Sequence, residues 1–178
     1  MIENDIKEVY FSKEQLHDIV KKLGAQISRD YEGKNLTLVS ILKGSVIFMA
    51  DLMREITVPC EIDFMCVSSY GGGTKTSGTV KIIKDLDINL EGKDLLLVED
   101  ILDSGRTLKK LIDFLSIKEP ESVSVCTLLD KPSRRVVDVE AKYVGSLVED
   151  QFVVGYGLDY NQKYRNLPFI GILKPEAI

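Results

Sequence analysis

Runs of apolar residues of strand length recur along this chain: Leu36 to Leu42, Glu61 to Tyr70 and Asp94 to Val98, with Ser122 to Leu129 a fourth. A strand with one wet face alternates apolar and polar residues. A strand that is apolar nearly throughout must be covered on both faces. Segments of helical spacing follow the first and third of these runs, and a helix between two strands carries the chain back to the same edge of a sheet, so those strands run parallel. The pattern predicts an α/β fold with a mostly parallel, twisted sheet flanked by helices. In such sheets ligands bind beyond the carboxyl ends of the strands. The segments 43–45, 99–107 and 130–131 each follow a predicted strand and are the places to look for chemistry.

The helices carry their own signals. Ser12 and Gln15 form a capping box ahead of Leu16, Ile19, Val20, Leu23 and Ile27, which predicts a helix over 12–31. A second helix is expected over 46–56, with Val46, Met49, Ala50 and Met53 on one face, and a third from Thr107 to Ile117. Thr79 to Lys84 reads as a strand, and short strands are expected near 143–148, 152–156 and 169–173. No repeat and no Pro- or Ser-rich linker divides the chain. Its 178 residues predict a single domain, 1–178. At that size roughly 70% of the chain's surface can be buried, so a core forms without staples.

Composition excludes several function classes. Net charge is −5 and the pI about 5.0, so a broad basic footprint for nucleic acid is missing. A single histidine, His17, rules out multi-histidine metal sites and reads as a surface or packing residue. Cys60, Cys66 and Cys126 are odd in number, form no CxxC pair and lie in strand-like runs. Buried free thiols in a reducing compartment are expected, and a cytoplasmic location with them. The opening residues show no signal-peptide pattern, and no apolar run reaches ~18 residues, so no membrane association is expected.

The segment from Leu95 to Leu108 is the most informative. A buried strand delivers two adjacent carboxylates, Glu99 and Asp100, to the sheet edge. Such acids cost stability unless they bind hydroxyls or a cation. Asp103-Ser104-Gly105-Arg106-Thr107 then opens a helix. Its N–H groups, two hydroxyls and positive end suit a phosphate. It is neither a Walker A loop nor GxGxxG. A phosphate cradle beside a carboxylate pair suits a phosphorylated ribose. Three further segments stand out: Leu42-Lys43-Gly44-Ser45; the loop Ser68 to Gly78 with three consecutive glycines; and Lys131 together with Phe152 to Asn161.

The 95–108 segment resembles the phosphoribosyl-diphosphate (PRPP) motif of the purine phosphoribosyltransferases, most closely those acting on hypoxanthine and guanine. The resemblance extends from about residue 10 to 175, with the four segments in the family's order. It implies the type I phosphoribosyltransferase fold, with a small hood built from the chain ends. It implies that Glu99 and Asp100 hold the ribose hydroxyls, directly or through Mg²⁺. Asp103, Ser104, Gly105, Arg106 and Thr107 would bind the 5′-phosphate, with Asp103 also the general base at purine N7.

By the same resemblance, Lys43, Gly44 and Arg165 would contact pyrophosphate. Ser45 stands where family members commonly have a second glycine. Ser69 and Tyr70 would lie on a loop, 69–78, that closes over the site. Lys131 would donate to purine O6, Phe152 would stack on the base, the Val153 backbone would read its edge, and Asp159 would meet the base and a second Mg²⁺. Mg²⁺ as cofactor, PRPP and a 6-oxopurine base as substrates, and a homodimer or homotetramer follow from the same resemblance. Arg134 and Arg135 read as a solvated turn. A xanthine-preferring member and a nucleotide sensor that binds nucleic acid are the alternative readings; the acidic balance weighs against the second.

Overall fold

The structure is a computed structural model, and it describes residues 2–69 and 80–178. Among the described residues nine strands and three α-helices follow one another: β1 (Ile6–Phe11), α1 (Lys13–Asp30), β2 (Leu36–Leu42), α2 (Val46–Glu55), β3 (Cys60–Ser69), β4 (Val80–Lys84), β5 (Asp94–Leu102), α3 (Arg106–Ser116), β6 (Ser122–Asp130), β7 (Tyr143–Leu147), β8 (Val153–Val154) and β9 (Ile170–Leu173). The main sheet has the order β4-β3-β2-β5-β6-β7. All its pairings are parallel except β3 with β4. The expected mixed α/β architecture is therefore present.

The fully apolar strands are buried on both faces, and their side chains sort by parity. Leu96 and Val98 of β5 join Leu36 and Leu38 of β2 under α1 and α2. Leu95 and Leu97 face the other way, onto Leu108, Leu111 and Leu115 of α3. Each such leucine contributes roughly 1.5–3 kcal/mol by leaving water. Helix α1 starts at the predicted cap: the Ser12 N–H donates to Gln15 Oε1 at 2.8 Å, and the Gln15 N–H donates to Ser12 Oγ at 3.3 Å.

A second sheet, β1-β9-β8, is antiparallel and built from the two chain ends. It is the hood implied by the resemblance. Strand β1 had no counterpart in the sequence reading, because its residues pair with β9 at the far end of the chain. Val153, Tyr156 and Ile170 pack into the same core as α1 and α2, so the hood is seated on the main sheet.

Three expectations need correction. The buried face of α2 is Phe48, Met49 and Leu52, while Val46, Ala50 and Met53 are exposed. The Val46/Met49/Ala50/Met53 spacing is helical, but it selects a stripe offset from the one that meets the sheet. Of the cysteines only Cys126 is buried; Cys60 and Cys66 are half-buried, and all three are free. The strand predicted over 152–156 is only two residues long. Gly155, at φ 99°, turns the chain out of it.

Candidate active site

The strand order reverses direction between β2 and β5. Successive crossovers leave this pair in opposite directions, so the loops after β2 and β5 open a crevice between them at the carboxyl edge. The loop after β2 is Lys43-Gly44-Ser45, and the loop after β5 is 103–105. Strand β6 ends next door, immediately before Lys131.

Glu99 and Asp100 lie within β5, which runs on to Leu102; the sequence reading had ended the strand at these acids. Both are half-buried. Burial pushes Glu99 well above the usual carboxylate range, and the neighbouring Asp100 charge adds to it. Burial likewise pushes Asp100 up to about 6, partly offset by N–H donation from Ile101 and by the Arg165 charge. Two acids held against their preference for ionisation have the character of a site awaiting hydroxyls or a hard cation.

Asp103 is exposed, and Gly105 caps α3 in the left-handed region at φ 79°. Glu99, Asp103, Ser104, Gly105 and Thr107 help to wall a cavity of about 110 Å³ at this helix N-terminus. The N–H groups of the first turn, of which Arg106 N–H reaches Ser104 Oγ at 3.4 Å, and the positive end of α3 meet there.

The pyrophosphate-loop candidate is packed against the acids. A Cβ at Gly44 would fall 1.7 Å from Asp100 Oδ2, so any other residue there would push the Asp100 carboxylate aside. The Leu42–Lys43 peptide is cis. Ser45 is fully buried: its hydroxyl donates to the Ile41 carbonyl at 2.6 Å and lies 2.8 Å from Ser40 Oγ. The serine that departs from the family's glycine therefore fastens the loop to β2.

From the other side, Arg165 Nη1 donates to the Gly157 carbonyl at 2.7 Å and Nη2 pairs with Asp159 Oδ1 at 2.6 Å. Lys43 Nζ and Arg165 Nη2 both reach Gln162 Oε1, at 3.5 and 3.3 Å. One neutral oxygen thus brings two cations together, which suits a dianionic or more highly charged group between them. Asp159 Oδ2 accepts from the Gln162 N–H at 2.8 Å. A cation at Asp159 would use the lone pairs those contacts leave.

Lys131 is buried, and its ammonium donates to the Gln151 carbonyl. This places it beside Phe152, which is half-exposed and stands edge-on to Tyr160 at 5.6 Å. The Phe152 ring thus keeps a face for a flat partner. Val153 is buried in β8. Of Ser69 only the backbone is described, at the end of β3, and Tyr70 and the loop through Gly78 lie outside the described residues.

Two residues were missed by sequence reasoning. Gln162 gave no signal, because a glutamine among polar neighbours has no distinguishing pattern. Arg135 is a correction: it is not solvated but donates to the Asp103 carbonyl at 2.7 Å and pairs with Asp130, with only 19% of its side chain exposed. Arg134 does sit at the surface, paired with Asp150 at 2.8 Å. Among the described residues no group of three or more His, Cys, Asp or Glu converges on one point. The hard oxygens of Glu99 and Asp100 fit Mg²⁺, which keeps waters and substrate phosphates as its other ligands.

The chain matches the phosphoribosyl transferase domain model over residues 10–161. It is 55% identical over 174 residues to a protein of Staphylococcus aureus strain Mu50 named hypoxanthine-guanine phosphoribosyltransferase, covering 98% of this chain and 97% of that one. A protein of the same name from Streptococcus thermophilus is 54% identical over 176 residues, covering 99% and 98%. The crystal structure of a hypoxanthine phosphoribosyltransferase from Staphylococcus aureus superposes with a TM-score of 0.96 at 55% identity, covering 99% of this chain and 96% of that one.

Proposed function

The chain belongs to the phosphoribosyltransferase family, and from that membership we propose the chemistry of its site. It is a purine-salvage transferase that moves the 5-phosphoribosyl group from PRPP to hypoxanthine or guanine, giving IMP or GMP and pyrophosphate. One observation carries the assignment of parts. The carboxyl ends of three adjacent parallel strands, β2, β5 and β6, carry Lys43, the paired acids with the anion cradle, and the buried Lys131, and the segment 152–165 brings the half-exposed Phe152 and Arg165 beside them.

The residues divide the substrate among them. The N–H groups and hydroxyls of Asp103, Ser104, Gly105, Arg106 and Thr107 hold the 5′-phosphate. Glu99 and Asp100 receive the ribose hydroxyls. Lys43, the Gly44 N–H and Arg165 take the pyrophosphate. One Mg²⁺ at Glu99 and Asp100 and a second at Asp159 would neutralise the phosphates and offset the charge of the acids. Lys131 donates to the purine O6, Phe152 stacks on the ring, and the Val153 backbone and Asp159 meet its edge.

Purine N9 bonds to ribose C1′ as the C1′–O bond to pyrophosphate breaks, and the leaving oxygen keeps the electron pair. The N7 proton passes to the exposed Asp103 carboxylate. Lys43 and Arg165 stabilise the charge that develops on the leaving group. The C1′ centre is cationic in character at the transition state, so water must be kept out, the role we assign to loop 69–78 with Ser69 and Tyr70.

One domain, 1–178, performs this, since the hood shares the main core. The free thiols suit a reducing cytoplasm. No helix is long and apolar enough to cross a membrane. The uncovered apolar side chains of α2, Val46, Ile47 and Met53, support a homodimer or homotetramer. Sedimentation at micromolar concentration should give a dimer or tetramer, and a monomer would contradict it. The activity itself is tested by incubating the protein with PRPP, Mg²⁺ and hypoxanthine. IMP and pyrophosphate should appear in equal amounts; PRPP consumed without IMP would overturn the assignment.

A further inference from the structure

The turn after β6 does more than carry Lys131. Three successive carbonyls of the phosphate turn accept hydrogen bonds from it. The Leu102 carbonyl accepts from the Lys131 N–H at 2.9 Å, and the Ser104 carbonyl from the Val136 N–H at 3.1 Å. Between them, the Asp103 carbonyl accepts from Arg135 Nη1 at 2.7 Å. The other arm of that guanidinium pairs with Asp130 at the end of β6, so Arg135 is held at both ends. Loop and turn are in direct contact. A Cβ at Gly105 would come within 3.2 Å of Arg135 Cδ and 3.1 Å of Val137 Cγ2.

In a trans peptide unit the carbonyl of one residue and the N–H of the next point in opposite directions. Among the described residues the only cis peptide is Leu42–Lys43. Fixing the Asp103 carbonyl toward Arg135 therefore aims the Ser104 N–H away from it. The Lys131 and Val136 N–H groups do the same for the amides of Asp103 and Gly105. A donor aimed before an anion arrives needs no reorganisation when it binds.

We propose that Arg135 is a positioning residue for the phosphate site: by tying the Asp103 carbonyl to Asp130, it sets the direction of the Ser104 amide in the phosphate cradle. This rests on the reading of 103–107 as the phosphate cradle. Arg135 touches no substrate in this account. A lysine in its place supplies one donor but cannot span both partners in a planar fork.

The test is steady-state kinetics with PRPP and hypoxanthine varied separately, alongside melting temperatures. The variants are Arg135→Met, Arg135→Lys and Asp130→Asn, with Thr107→Val removing a direct phosphate contact and Arg134→Gln as the surface control. Arg135→Met should raise KM for PRPP roughly 10-fold, as expected for loss of one charge-assisted hydrogen bond. KM for hypoxanthine should move far less. Arg135→Lys and Asp130→Asn should shift KM for PRPP in the same direction by a smaller factor, and Arg134→Gln should not. Should Arg135→Met fail to fold, Arg135→Lys and Asp130→Asn decide the matter alone. If Thr107→Val raises KM for PRPP while the folded Arg135 and Asp130 variants leave it unchanged, the positioning role is overturned and the phosphate cradle stands. If none of them changes KM for PRPP, the cradle reading falls and the proposal with it. A parallel rise in both KM values with a lowered melting temperature would mark Arg135 as structural only and also overturn it.

Discussion

Lys131 shows what a single residue contributes. Its buried ammonium can only donate, so a 6-oxopurine offers it an acceptor, whereas adenine would oppose it with a second donor. An unmade charged hydrogen bond costs about 1.5–3 kcal/mol, roughly 10- to 150-fold. Lys131→Ala is expected to erode the preference for hypoxanthine over adenine by about that factor in kcat/KM. An unchanged ratio would remove Lys131 from the base site. Asp103→Asn keeps the shape and loses the base, and should lower kcat by roughly 10²–10⁴; undiminished turnover would mean the proton goes elsewhere. Residues whose chemistry is local were legible in the sequence, as with the Glu99-Asp100 pair and the 103–107 turn. Arg135 and Gln162 were not. Their meaning lies in partners 32 residues away for Arg135 and 119 for Gln162, and no spacing rule reaches across such a gap.

At the scale of elements, buried strands and capped helices were read well because their causes are local. The Ser12 capping box fixed the start of α1, and the apolar run 36–42 is β2 to the residue. What failed depends on tertiary partners. The inward face of α2 is chosen by the sheet it meets, β1 exists only because β9 pairs with it, and β5 extends past its apolar run because β6 continues alongside. The loop after β2 gives an element-level prediction. The Ser45 hydroxyl joins Ile41 and Ser40 in a fully buried bond network. Ser45→Ala leaves those partners unsatisfied at a cost of about 1–3 kcal/mol. A drop in melting temperature of roughly 2–12 °C is expected for a domain of this size, with a raised KM for PRPP. No change in either would mean the hydroxyl does not hold the loop.

At the scale of the molecule, stability and function pull against each other where the acids sit. Asp100 keeps its proton in the fold up to about 6, whereas an unfolded aspartate releases it near ~3.9. Between those values the native state binds more protons than the unfolded chain. This residue's contribution to stability therefore falls as pH rises through that window and stays low above it. Glu99 acts in the same direction. Asp100→Asn should be less active, yet its melting temperature relative to the natural protein should climb as pH is raised from 4 to 8. A difference that is flat with pH would show that Asp100 is not held against ionisation. Such a cost is tolerated at a functional site, because a bound cation and ribose hydroxyls relieve it.

One assay tests the transferase activity most directly: the protein mixed with PRPP and Mg²⁺ and offered hypoxanthine, guanine, xanthine and adenine in turn, with nucleotide formation followed by absorbance. Turnover of hypoxanthine or guanine, little or none of adenine, and loss of activity with EDTA are the predicted result. Failure to convert any base, or adenine turned over as readily as hypoxanthine, would contradict it.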